Sequence, residues 1–409
     1  MNILLINHYV GSPKYGMEYR PYYIAREWVK KGHSVTIVAA SFSHLRSMNP
    51  MVQQSLTEEI VDGIHYEWIK TPSYEGNGIG RIRNILSFII QLRYYIPKLT
   101  AARKYDAIIA SSTYPLDIYP ARMLQKKSGA RLIFEVHDLW PLSPMELGNI
   151  PAWHPYIMLM QKAENDAYRF CDKVVSILPC AKPHMIEHGL HPDKFIHIPN
   201  GIDIEEWEQE PDIIPLEHKN IMFGLKADGR FIVGYAGSHG IANSLNTLLE
   251  AAELCKNDKI VFVMVGQGPE KGKLQKAAVN RGLNNVVFLP AVDKNAIANI
   301  LNMFDACYVG FQKQPLFRFG VSPNKLMDYM MAAKPIIYAI EAGNDPVKEA
   351  DCGICVPAED PMAVSEAARR LAAMSRSERE SMGRRGRDYV FKKHDYRVIA
   401  QEFLKILEQ

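Results

Sequence analysis

The apolar positions of this chain fall into two alternating registers. Short runs of aliphatic and β-branched residues, without polar alternation, lie at 2–7, 34–39, 64–69, 106–110, 131–136 and 173–178. Between several of them apolar residues recur at helical spacing, as over 19–31 and 155–170. Unalternating strands parted by helices predict parallel sheets covered on both faces, the doubly wound α/β arrangement. After a polar, proline-containing stretch at 205–220 the rhythm restarts, with strands predicted at 231–236, 260–265, 285–289, 306–310 and 335–339. Helices are predicted between and after these at 244–256, 271–281, 324–333 and 363–373. Two successive α/β units predict two Rossmann-like domains facing across a cleft. The expected boundaries are 1–204, 205–385 and a charged, helical tail at 386–409, whose last helix is a candidate to cross back to the first domain.

Composition narrows the class. At 409 residues, with 47% hydrophobic and 23% charged positions, the chain has material for two or three globular cores. A formal net charge of +3 gives no global field for nucleic acid. The apolar stretch of residues 1–8 lacks a basic leader and is too short for a signal peptide, so it reads as a first strand. No window reaches the roughly 20 apolar residues of a spanning helix. Six cysteines are few for this length and suggest a reducing compartment. The pair Cys352 and Cys355 has no second pair to complete a zinc site and reads as small residues around a turn.

Candidate chemistry concentrates in residues 320–335. Ser322 suits a helix N-cap and Pro323 the first helical position, so the free amides around Ser322, Pro323 and Asn324 would face an anion. Lys325 adds a cation in the first turn. Asp328 shares its face and lies ~5–8 Å further along, where a carboxylate can accept two ribose hydroxyls. Alternatively this is an ordinary capped helix with a solvated Lys–Asp pair. Gly237, Ser238 and His239 follow one predicted strand and Gly266 another, at the strand ends where open α/β sheets bind ligands; either can also be a plain tight turn. In the first half, Gly11 and Gly16 precede a helix containing Glu18 and Arg20. His137 and Asp138 end the strand at 131–136, and Pro199-Asn200-Gly201-Ile202-Asp203 makes a turn.

Together these blocks make the chain resemble the retaining GT-B glycosyltransferases of family 4, especially enzymes of O-antigen and capsule assembly that handle N-acetyl-L-fucosamine. The resemblance spans nearly the whole chain. It implies a UDP-sugar as donor substrate, with no cofactor and no metal. Amides near Ser322–Lys325 would hold the diphosphate and Asp328, glutamate in most members, the ribose. His137 would sit by the transferred sugar, with the Gly16 loop over the site. Glu18, Arg20 and Asp138 are candidates for the acceptor, expected to be a polyprenyl-diphosphate-linked saccharide. Two departures stand out. Gly320 occupies the first acidic position of the family's E-x7-E, and Ser238, His239 and Asn243 lie where an arginine and a lysine are usual.

The segment 80–98 is apolar and aromatic with Arg81, Arg83, Arg93 and Lys98 at intervals, the composition of a helix lying on anionic lipid. A core helix with water-reaching arginines is the alternative. With the implied acceptor, it points to a cytoplasmic enzyme peripheral to the inner face of the membrane. A nucleotide-sugar epimerase of the same fold and a catalytically inactive scaffold are the competing readings.

Overall fold

The structure is a computed structural model and describes residues 1–17, 19–76, 78–209 and 213–408. The chain forms two compact units, Met1–Asn200 with Tyr396–Gln409, and Gly201–Asp395. The first unit holds β1 (Asn2–Ile6), β2 (Ser34–Ala40), β3 (Leu56–Val61), β4 (Ile64–Ile69), β5 (Ala107–Ala110), β6 (Arg131–Val136), β7 (Lys173–Ser176) and β8 (Phe195–His197). They make one sheet in the order β3-β4-β2-β1-β5-β6-β7-β8. Only the pairing of the edge strand β3 with β4 is antiparallel. The second unit holds β9 (Phe231–Ala236), β10 (Ile260–Val265), β11 (Val286–Leu289), β12 (Ala306–Gly310), β13 (Ile336–Ala339) and β14 (Gly353–Cys355), ordered β11-β10-β9-β12-β13-β14 and parallel throughout.

Both sheets are buried on two faces, which accounts for their unalternating sequences. On β9, Ile232 and Ala236 join one apolar cluster while Phe231, Val233 and Tyr235 join another. Two α/β Rossmann-like domains are thus present. Each sheet has a switch point where the winding reverses, beside β1 in the first and β9 in the second, and ligands of such sheets bind at the carboxyl ends there.

The unit boundaries differ from the expected 204 and 385. Ile202 pairs with Asp395, and its amide donates to the His394 carbonyl at 2.8 Å, which draws residues 201–204 into the second unit. The helix Arg376–Lys393, opened by a Ser375–Glu378 capping box, stays there too, with Val390 in that unit's core. The polar stretch at 205–220 is itself partly helical, within Ile204–Trp207 and Leu216–Ala227. Among the described residues no helix is long and apolar enough to cross a membrane.

The last helix, Tyr396–Glu408, packs in the first unit against the helix Tyr19–Lys30. Tyr396 stacks on Tyr23 at 5.0 Å between centroids, Phe403 meets Trp28 edge-on at 5.4 Å, and the Trp28 indole donates to the Ala400 carbonyl at 2.9 Å. Phe403→Ala should therefore cost about 3–5 kcal/mol. Hydrogen exchange on the intact chain should show faster exchange in β1 and β2 with β9 and β10 unchanged. Equal loosening of both units would contradict this packing.

Candidate functional site

In the second unit, the loops after β9 and β10 meet backbone to backbone. The Gly237 amide donates to Val265 O at 3.0 Å, His239 N to Gln267 O at 2.8 Å, and Glu270 N to His239 O at 3.0 Å. A Cβ on Gly266 would lie 1.9 Å from the Gly237 carbonyl oxygen, so only glycine fits. This contact sinks the His239 ring, 0% exposed, beside Phe288 with neither ring nitrogen hydrogen-bonded among the described residues. Burial, then the charges of Lys271 and Lys325, bring its pKa down to about 4, so the imidazole is neutral at physiological pH. Buried polar atoms without partners are rare, which sets this loop pair apart from an ordinary turn.

Two cations flank that ring. Lys325 Nζ donates to Tyr235 Oη at 3.0 Å and to Asn243 Oδ1, and stands over the Tyr235 ring at 4.8 Å. Lys271, first residue of the helix Lys271–Asn280, donates to the carbonyls of Gly266 at 2.8 Å and Leu289 at 3.0 Å. Among the described residues neither lysine pairs with a carboxylate. Burial lowers both pKa values, that of Lys325 to about 8. Positive charge held out of water without a counter-ion is the state expected of an anion site.

Lys325 is carried by the helix Asn324–Met331, which starts one residue later than the capping pattern predicts. Pro323 occupies the cap position and no side chain, Ser322 included, caps it. Its placement comes from Asn344, which accepts from Val321 N at 2.8 Å and donates to Val321 O at 3.0 Å. Tyr329 supplies a second tie, its hydroxyl bonding both the amide and carbonyl of Ala236 at the end of β9. Gly320 just before has φ +102°, a conformation that strains any glutamate placed there. Asp328 forms no ion pair with Lys325. Its carboxyl has no hydrogen-bond partner among the described residues, and burial, opposed by Lys294, pushes its pKa up to about 7.

In the first unit the ends of β1 and β5 are tied together, with Asn7 Nδ2 donating to Ser111 O at 2.6 Å and His8 N to Ser112 Oγ at 3.1 Å. His137, just past β6, places Nε2 2.9 Å from Ser111 Oγ and 3.3 Å from Glu135 Oε2. Two predicted acceptor contacts turn out to be internal. Arg20 is 4% exposed, paired with Glu135 at 3.0 Å and donating to the carbonyls of Ile198 and Pro199. Asp138 accepts from Ser143 Oγ at 2.6 Å and Leu139 N at 2.9 Å, closing the turn after His137. Glu18 lies outside the described residues. Gly16, at φ +76°, packs on Ser47, and its amide donates to Ser12 O. Arg81 turns inward, its guanidinium between the rings of Tyr9 at 5.3 Å and Trp140 at 5.5 Å, so it does not belong with the outward-facing Arg83, Arg93 and Lys98. Lys271 escaped the sequence reading, although a lysine in the first turn after the Gly266–Pro269 turn carries the same signal as Lys325.

Residues 15–206 match the family model described as Glycosyltransferase Family 4, and residues 230–374 that described as Glycosyl transferases group 1. The chain is 27% identical over 225 residues to WcaI of Escherichia coli K12, named as a colanic acid biosynthesis glycosyl transferase. That alignment covers 54% of each protein, so the chain spans about half the length of this relative. It is 23% identical over 372 residues to WbjE of Pseudomonas aeruginosa, named as a glycosyltransferase, covering 89% of this chain and 87% of that one. Among solved structures, sucrose-phosphate synthase from Thermosynechococcus elongatus shares the fold at TM-score 0.71 and 16% identity, covering 100% of this chain and 98% of that chain. Anabaena HepE in complex with UDP and glucose does so at TM-score 0.66 and 16% identity, covering 100% and 99%.

The desolvated Asp328 carries a stability consequence. In the unfolded chain it ionises near pH 4 but in the fold only near 7, so its contribution to stability falls as pH rises between about 4 and about 7. Asp328→Asn should therefore melt above wild type at pH 8, with the difference vanishing at pH 4. A variant less stable than wild type at pH 8 would show that the carboxylate has a protein partner.

Proposed function

We propose that the chain, whose two halves match the Glycosyltransferase Family 4 and Glycosyl transferases group 1 models, is a glycosyltransferase whose second unit binds a UDP-sugar and whose first binds the acceptor that receives the sugar. One observation carries the reading: His239, Lys271 and Lys325 converge on the glycine loops at the switch point, and among the described residues no carboxylate pairs with either lysine. Such a site suits a diphosphate, and HepE, of the same fold, is known in complex with UDP. Asp328, further along the helix, accepts the ribose hydroxyls. As the bond to the sugar breaks, charge grows on the departing UDP, and preorganised lysines and amides stabilise it without a metal. The acceptor attacks on the face from which UDP leaves, which retains configuration and needs no protein nucleophile.

The name of WcaI, a colanic acid biosynthesis glycosyl transferase, supports a role in polysaccharide assembly for this chain; we propose O-antigen or capsule as its product and a polyprenyl-diphosphate-linked saccharide as its acceptor. For the donor we propose an N-acetylated hexosamine such as N-acetyl-L-fucosamine. Incubation with a panel of labelled UDP-sugars and a lipid-diphosphate acceptor tests the reading. Transfer supports it; epimer formation, or binding without turnover, overturns it.

Lys325→Ala and Asp328→Ala should each weaken UDP binding about 10- to 150-fold, the worth of one charge-assisted hydrogen bond, without unfolding the chain. Wild-type affinity should peak between about pH 7, below which Asp328 protonates, and about pH 8, above which Lys325 loses its charge. Calorimetry that finds both variants binding UDP normally would falsify the donor site.

Membrane attachment is part of the same proposal. The helix Ile79–Ala102 contains no acidic residue. Its inner face buries Ile85, Phe88, Leu92 and Ile96, whereas Ile79, Ile90 and Tyr94 are 85%, 67% and 75% exposed beside Arg83, Arg93 and Lys98. Each basic residue contributes about 1 kcal/mol at an anionic surface. Replacing Arg83, Arg93 and Lys98 with glutamate should abolish sedimentation with phosphatidylglycerol vesicles and leave UDP binding intact. Continued sedimentation would show that this face is not the one that docks.

A further inference from the structure

We propose that Glu135 and Ser111 are positioning residues that seat a proton on Nε2 of His137, so that in the neutral ring it is a bare Nδ1 that meets a sugar hydroxyl. The choice of ligand rests on the sugar-transfer reading; the tautomer rests on the geometry alone. Ser111 Oγ lies 2.6 Å from Glu135 Oε2. Burial alone would raise the Glu135 carboxyl. The Arg20 charge beside it, with His137 and the Ser111 hydroxyl, instead holds it well below the usual carboxylate range. It is therefore ionised and can only accept, so the Ser111 hydroxyl hydrogen goes to Glu135.

What remains on Ser111 Oγ toward His137 is a lone pair. His137 Nε2 lies 2.9 Å from that oxygen and 3.3 Å from Glu135 Oε2. Both neighbours accept, so Nε2 must carry the proton. A neutral imidazole has only one, which leaves Nδ1 as an acceptor. Among the described residues nothing donates to Nδ1, and the ring keeps 13% of its surface exposed. The other charged neighbours are carboxyls. Asp117 is buried with Ser112 N donating to Oδ2 at 2.9 Å, and Asp138 is held by Ser143 and Leu139. None of them competes for Nδ1. A bare ring nitrogen takes a hydrogen bond from a hydroxyl and gains nothing from a phosphate or carboxylate oxygen. His137 thus selects for a hydroxyl on the sugar or acceptor that reaches it.

Arg20 belongs to the same device, because Glu135 without that charge could protonate and donate to Nε2, reversing the ring. Long-range 15N correlation spectra of the histidine-labelled full chain read the tautomer directly. In wild type the protonated nitrogen should be Nε2. Glu135→Gln, whose amide can donate to the ring, should populate the Nδ1–H form and lower kcat about 10- to 150-fold, the worth of one hydrogen bond, with UDP affinity unchanged. Since Glu135→Gln disturbs a buried ion pair, Ser111→Ala is the second variant: it keeps the Arg20–Glu135 pair and the carboxylate that accepts from Nε2, so the proton should stay on Nε2, while loss of one of the ring's two holds should lower kcat, which Ser111→Thr should restore. A wild-type ring bare at Nε2 or protonated on both nitrogens at neutral pH, or Ser111→Ala leaving turnover unchanged, overturns the proposal. Absence of transfer by the wild type would sink the sugar-transfer reading, while the spectra still decide where the proton sits.

Discussion

An ion pair taken out of water loses hydration on both sides, and only dense local hydrogen bonding makes the loss tolerable. Arg20 and Glu135 meet that condition. One carboxylate oxygen takes the guanidinium, the other takes Ser111 and faces His137, and the remaining arginine donors cap the carbonyls of Ile198 and Pro199. This one contact joins the first helix, the sixth strand, the loop after the fifth and the chain's exit from the unit. Removal of either partner would leave a buried charge and release all four elements together.

The second unit follows the opposite rule. Among the described residues the three charges of its candidate site form no ion pair: Lys325 rests on a phenol and an amide, Lys271 on carbonyls, and Asp328 has no hydrogen-bond partner. The fold tolerates them because the loops carrying them are anchored by neutral backbone and tyrosine contacts, so rigidity and reactivity come from different groups. A charged ligand then supplies what the protein withholds.

Much of this was legible in the sequence because parallel strands buried on both faces leave continuous apolar runs. The strands that escaped lack that signal: β3 is an antiparallel edge strand with alternating exposure, while β8 and β14 are three residues long. The positions of His137 and His239 just past their strands, and of Lys325 in the first turn of its helix, could be read from the order of elements alone. Arg20 could not, since its partner lies 115 residues away and a surface arginine and a buried one look alike in sequence. Ser322 misled for a related reason. Its residue type fits a cap, but Asn344 and Tyr329 already position that helix from elsewhere in the chain.

The closing helix of the first unit comes from the far end of the chain, with an order imposed on synthesis. The second unit, Gly201–Asp395, is contiguous and can complete itself as soon as it emerges from the ribosome. The first emerges earlier yet lacks one wall until the helix Tyr396–Glu408 follows, so a nascent chain carries Trp28 and Tyr23 uncovered while the other core forms. An apolar surface held open that long is the kind on which chaperones act. A product that terminates before Tyr396 would leave the ribosome with that seam unclosed, an unfinished first unit that marks it for capture or degradation.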